Sequence, residues 1–150
     1  MADTATWTEL TGADNPVEVL GPTVNLIAGA AIKRNMVVAF AATGVSGTVH
    51  PAVSGTTGPV AGVAITDAAI GERVVVALSG CVVTVREGAG SALDAGDWVA
   101  ADDAAATGCV KALDTTATNY DRVGQLLDDL AANGLARIVV SLGPTTKAAT

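Results

Sequence analysis

Catalysis and ligand binding need nucleophiles, acids or metal ligands in recognisable groups, and the residues able to supply them here are few. The single histidine, His50, stands beside Pro51 at an apparent turn, a placement that suits a surface loop better than a general base. Gly44-Val45-Ser46-Gly47-Thr48 begins like a nucleophile elbow but lacks its final glycine and its strand-to-helix setting. Gly88-Ala89-Gly90-Ser91-Ala92-Leu93 lacks the third glycine of a dinucleotide fingerprint, and no Gly-Lys dipeptide exists to build a phosphate-binding loop. The pairs Asp102-Asp103 and Asp128-Asp129, with Asp94 and Asp97 nearby, do not follow the alternating pattern of a calcium loop. They read as solvated loop charges that maintain solubility. Cys81 and Cys109 have no metal-ligand spacing; small buried hydrophobes is the favoured reading, with a disulfide between them left open. The sequence therefore predicts no catalytic constellation, no metal and no cofactor.

The rest of the composition points to a structural or binding role. Fifteen acidic residues face eight basic ones, and the only adjacent basic pair is Lys33-Arg34, which argues against nucleic acid as a partner. Only Trp7, Phe40, Trp98 and Tyr120 are aromatic, so no platform exists for stacking bases or sugar rings. No apolar run reaches the 18 or more residues of a membrane helix, and Met1–Leu10 has acidic Asp3 and Glu9 but no basic n-region. No membrane association is expected. Half the residues are apolar and the mean hydropathy is +0.48, an excess with two readings. One is an Ala- and Val-rich core, and the other is apolar surface covered by further subunits.

The elements that would position any site read as strands, because stiff β-branched side chains pack well on a pleated surface. Residues 1–22 hold Trp7, Asn15-Pro16 and Gly21-Pro22 and alternate weakly around Val17-Glu18-Val19-Leu20, the pattern of an extended N-terminal arm. Residues 23–145 form the body, and 146–150 a small, polar, flexible tail. Within the body lies an internal repeat. One copy begins Arg34-Asn35-Met36-Val37 and closes with Gly71 to Gly80; the other begins Gly96-Asp97-Trp98-Val99 and closes with Gly134 to Gly143. Val37 matches Val99, Gly47 matches Gly108, Gly62 matches Gly124 and Leu78 matches Leu142, at offsets of 62, 61, 62 and 64 residues. Arg73 and Arg137 take similar places at the starts of matching strands, as edge-strand protection or inter-subunit salt bridges. Asp67–Ile70 and Asp128–Gly134 are candidates for one or two turns of helix, the second capped by an Asp and by Asn133-Gly134. The fold class is mainly β: a small barrel or sandwich of two similar halves with at most short helices.

The motifs Pro59-Val60-Ala61-Gly62-Val63-Ala64, Gly71 to Gly80, Gly96-Asp97-Trp98-Val99 and Gly108-Cys109-Val110 resemble the phage capsid cement family over roughly residues 30–143. Lambda-type head decoration proteins are similar in role. Arg34-Asn35-Met36 departs from the Gly-Asp that the pattern expects. The resemblance implies a structural virion protein on the outer surface of an icosahedral head, a homotrimer that binds the major capsid protein and clamps neighbouring subunits. The arm would order on the capsid by strand addition. Trp7, Val17, Val19, Leu20 and Trp98 are the expected contact residues. The alternative is another virion part: a minor capsid, tail-tube or fibre-base component.

Overall fold

The structure, a computed structural model, describes residues 21–40, 47–52, 59–102, 108–113 and 122–143. Their secondary structure is entirely strand and turn. In the first half these are β1 (Thr23–Ala28), β2 (Val37–Phe40), β3 (Thr48–Pro51), β4 (Val60–Ala64) and β5 (Arg73–Ala77). The second half holds β6 (Val82–Arg86), β7 (Trp98–Ala101), β8 (Val110–Ala112), β9 (Arg122–Leu126) and β10 (Leu135–Gly143).

The halves share one topology. The first closes into a barrel in the order β1-β3-β2-β4-β5, with β5 returning to pair with β1. The second runs β6-β10-β9-β7-β8, the same neighbours with each strand replaced by its counterpart. What differs is closure. In the first half, β1 and β3 pair in parallel through Ile27 with Thr48 and Ala28 with Val49. In the second, the corresponding seam is one isolated bridge between Glu87 and Val110. The second sheet is therefore a half-barrel.

Hydrogen-bond register refines the repeat. Val38 lies opposite Gly62, and Val99 opposite Gly124, each followed by a shift in register. Val99 thus corresponds to Val38, and Trp98 to Val37, one residue away from the match that the sequence suggests. Ala77 opposite Val63 corresponds to Val139 opposite Gln125. Leu78 accordingly matches Val140 rather than Leu142, and Arg73 matches Leu135 rather than Arg137. The glycine matches at 47/108 and 62/124 hold.

Neither candidate helix forms. Asp67 Oδ1 accepts the Arg34 N–H at 2.7 Å, and Ala68 bridges to Ile32. In the same places Asp129 Oδ1 accepts the Ala95 N–H at 2.9 Å, and Leu130 bridges to Leu93. These aspartates tie two extended segments together instead of capping a helix. Asn35 occupies the position of Gly96, and both have positive φ, 73° and 94°. Asn tolerates this left-handed conformation better than most residues, so the departure from Gly-Asp keeps the same turn. His50 and Pro51 lie within β3, His50 opposite Ala39, not at a turn.

The core follows from this arrangement. Ala28, Ile32, Val38, Val49, Val74 and Val76 fill the first barrel. A second cluster joins the outer face of that barrel, Val37, Ala39, Val60, Val63 and Ala77, to the concave face of the half-barrel, including Val83, Val99, Leu126 and Ile138. The half-barrel is thus wrapped against the closed barrel, and β4 is buried at all five positions. Backbone bonds reinforce the joint: Val37 N–H donates to Gly108 O at 2.9 Å, and Gly108 N–H to Ala52 O at 3.0 Å. Gly108 has φ +79°, and a Cβ there would fall 2.9 Å from Met36 Cγ.

Candidate interaction surface

Of the expected contact residues, Trp7, Val17, Val19 and Leu20 lie outside the described residues. Trp98 opens β7 and is 38% exposed. Its side chain belongs to the outer face of the half-barrel, the face turned away from the first barrel. Trp98 lies opposite Gln125, and Gln125 opposite Val139, so these three share one row across β7, β9 and β10. Ala100, Arg122 and Gly143 form the neighbouring row.

Arg122 organises this face. Its guanidinium lies over the Trp98 ring, 5.1 Å from the centroid. Nε donates to Ser141 O at 3.1 Å and Nη2 to Leu142 O at 3.2 Å. Gly143 leaves room for this, since a Cβ there would sit 2.7 Å from Nη2. Gln125 Nε2 donates to Gly96 O at 2.9 Å, which fixes the other side of the row. The result is an exposed aromatic ring backed by a held cation, the residue types that carry most energy at protein interfaces. Sequence reading reached Trp98 but not Arg122 or Gln125 as its companions.

Arg137, also on β10, donates through Nε to Asp128 Oδ2 at 2.8 Å and through Nη2 to Oδ1 at 2.9 Å. That bidentate bond holds the Asp128 carboxyl below its usual range and raises Arg137. The pair joins β10 to its own preceding turn within one chain, and β10 is paired on both sides by β6 and β9, so Arg137 does not guard a sheet edge.

The remaining polar groups are mostly structural. Glu87 is buried, and its carboxylate accepts N–H groups from Ala89 (2.7 Å), Gly90 (2.9 Å) and Asn133 (2.8 Å). Sequence reading missed it. Asp102 is also buried rather than solvated, whereas Asp97 accepts the Asp94 N–H in an exposed turn. Cys81 and Cys109 are free and buried, and burial pushes the Cys109 thiol up to about 12. A shallow cleft of about 230 Å³ near Lys33 contains Asp67 and Glu72. Both carboxylates there are already engaged by backbone N–H groups, of Arg34 and Ala69. Among the described residues no group of three His, Cys, Asp or Glu is placed to hold a metal.

A closed β-barrel packed into a half-barrel, with an open sheet face as its most developed polar feature among the described residues, fits the structural, surface-presenting class of protein. Comparison with known proteins makes this particular. The phage cement protein family matches residues 18–142, and the chain belongs to that family. It is a structural component of a phage virion. The fold is similar to the crystal structure of the head fiber gp8.5 N base in bacteriophage phi29, with a TM-score of 0.56 and 17% identity. That likeness covers 89% of this chain and 100% of the other. No curated protein matches it.

Proposed function

We propose that the protein binds the outer surface of an icosahedral phage head as a homotrimer and stabilises the capsid by bridging neighbouring major capsid subunits. Family membership supports the association with a capsid. The observation that carries the reading further is the open Trp98–Arg122 face, because the corresponding face of the first half is sealed by protein. Trp98, with Trp7, Val17, Val19 and Leu20 of the N-terminal segment, supplies the contacts. Many copies, each weakly bound, reinforce a shell through multivalency.

A fibre-base role is the second reading, favoured by the similarity to the phi29 head fiber base. Copy number separates the two. Purified virions should contain this 14.7 kDa chain near one to one with the major capsid protein, and heads stripped of it should break at lower temperature. A ratio below about one in ten overturns the cement reading in favour of the fibre base. Trp98→Ala should weaken rebinding to stripped heads by about 2 kcal/mol, roughly thirtyfold, while leaving the thermal midpoint of the free protein nearly unchanged.

A further inference from the structure

The turn that leads into β10 is built on Asn133-Gly134, and the matching turn of the first half on Gly71-Glu72. In both, the last N–H closes on the carbonyl three residues back: Gly134 on Ala131 O at 2.8 Å, and Glu72 on Ala69 O at 3.0 Å. The third residue of each turn has positive φ, 58° at Asn133 and 84° at Gly71. That corner favours glycine and accepts asparagine. The first half uses the residue without a side chain; the second sets an exposed carboxamide at the same corner.

The carboxamide brings chemistry with it. Asparagine is among the thermally labile residues, and a following glycine has no Cβ to hinder attack on its side chain. The Gly134 nitrogen forms a bond to Asn133 Cγ, the Cγ–Nδ2 bond breaks, and the proton lost from Gly134 leaves with Nδ2 as ammonia. Water then opens the cyclic imide at either carbonyl. The product is aspartate or, with an extra methylene in the main chain, isoaspartate. Asn15, Asn25, Asn35 and Asn119 precede Pro16, Leu26, Met36 and Tyr120, so Asn133 alone has glycine after it.

Glu87 controls the approach. For the Gly134 nitrogen to reach Cγ, its N–H must leave Ala131 O and the peptide between Asn133 and Gly134 must rotate. Glu87 holds both sides of that peptide: its buried carboxylate accepts the Asn133 N–H at 2.8 Å, and its own N–H donates to Gly134 O at 2.9 Å. The product works against these bonds. Aspartate at 133 sets a second carboxylate on the residue whose N–H Glu87 holds, and isoaspartate lengthens the turn between the two anchors. Glu87 also forms the isolated bridge to Val110 that closes the half-barrel seam, so strain at this turn reaches the seam directly.

We propose that Asn133 is a site of slow self-deamidation, that Glu87 restrains the reaction, and that conversion loosens the seam between β6 and β8. The inference concerns the chain itself and does not depend on the capsid reading.

The test ages the full chain at mildly alkaline pH and maps aspartate and isoaspartate by peptide mass and isoaspartate-selective labelling. Asn133 should convert at least severalfold faster than Asn25 and Asn35, and Glu87→Gln should raise its lead over those two severalfold further. Asn133→Asp carries the charge of the product without ageing, and should speed amide exchange at Ala89 and Gly90, which the Glu87 carboxylate also holds. Asn133→Gly restores the residue type of the first half, and exchange there should not change with age. Asn133→Asp keeps the test decisive should Glu87→Gln fold poorly and expose every asparagine alike. Conversion at Asn133 no faster than at Asn25 and Asn35 overturns the proposal. So does unchanged exchange at Ala89 and Gly90 in both the aged chain and Asn133→Asp.

Discussion

The two halves have the same strand order, the same pair of glycines and the same aspartate ties, yet they solve opposite problems. In the first, the row Val37, Val63 and Ala77 is fully buried against the second half. In the second, the same row reads Trp98, Gln125 and Val139 and faces outward. The first barrel closes on itself and buries the part of its outer face formed by Val37, Val63 and Ala77 against the second half, whereas the half-barrel uses its concave side as the partner surface and leaves Trp98, Gln125 and Arg122 on its convex side partly exposed. A repeat that ends an array needs such a polar outer face, because no further repeat covers it. Two copies of one design thus become a sealed core and a presenting surface through a few substitutions on one row.

The largest test of this contrast lies at the matched bulge glycines. A Cβ at Gly62 would fall 2.1 Å from Ala77 O and 2.7 Å from Val76 Cγ1, and one at Gly124 would fall 2.1 Å from Val139 O. Neither sheet can hold its register with alanine there. β4 is confined on both faces, while β9 has one face from which it can bow outward. Gly62→Ala should cost roughly 4 kcal/mol and Gly124→Ala about 1–2 kcal/mol less, read from urea midpoints. Equal losses would mean that the half-barrel is as confined as the barrel.

Exchanging the row residues tests the contrast more directly. Val63→Gln places an amide in a dry interface without partners and should cost about 3 kcal/mol. Gln125→Val gives up a half-exposed hydrogen bond and should change stability by no more than about 0.5 kcal/mol, while adding apolar surface that promotes self-association. A destabilising Gln125→Val, comparable with Val63→Gln, would show that the outer face of the half-barrel is not open.

How much of this was legible in the sequence depends on which residues carry backbone demands. Gly47 and Gly108 take φ of 76° and 79°, and Gly62 and Gly124 sit against carbonyls, so these landmarks aligned correctly. Val37 and Leu78 lie in valine-rich runs where a slip of one or two residues changes no chemical pattern, and there the alignment drifted. The helical readings failed because an aspartate that caps a helix and one that ties two strands look alike without knowledge of which N–H lies across from it. Trp98 stood out as a large ring in an aromatic-poor chain. Arg122 did not, since its pairing with Trp98 depends on strand register and on space over Gly143.

Glu87 escaped notice for a related reason, and it probes the seam where the halves differ. It corresponds to Ala28, whose carbonyl accepts the Gly71 N–H at 2.7 Å. In the half-barrel the Glu87 carboxylate takes the N–H of Asn133, the counterpart of Gly71, together with those of Ala89 and Gly90. A side chain thus stands in where a backbone acceptor serves in the closed barrel. Glu87→Gln turns one acceptor into a donor facing N–H groups and should cost about 2 kcal/mol. Amide exchange should rise first at Ala89, Gly90 and Asn133. Uniform protection across those amides would mean that the seam does not rely on the carboxylate.

The smallest effect belongs to the turn before β10, where the halves use different chemistry for one bond. Thr66 Oγ1 accepts the Val75 N–H at 3.1 Å in the first half, and Asp128 Oδ2 accepts the Arg137 N–H at 3.2 Å in the second. The hydroxyl does not titrate in the accessible range, but the carboxyl does. The hydrogen bonds from the Arg137 side chain lower the Asp128 pKa in the folded state, so its contribution is present above the unfolded carboxyl pKa of about 3.8. It is lost as pH falls through the lower, folded value. Because the pair is exposed and screened by solvent, the effect is slight. Asp128→Asn should lower the urea midpoint slightly at pH 7, and its difference from the parent chain should shrink towards zero near pH 2. Thr66→Val should cause a loss that is the same at both pH values. A pH-independent loss in Asp128→Asn would show that the carboxyl acts there only as a neutral acceptor, as the threonine does in the first half.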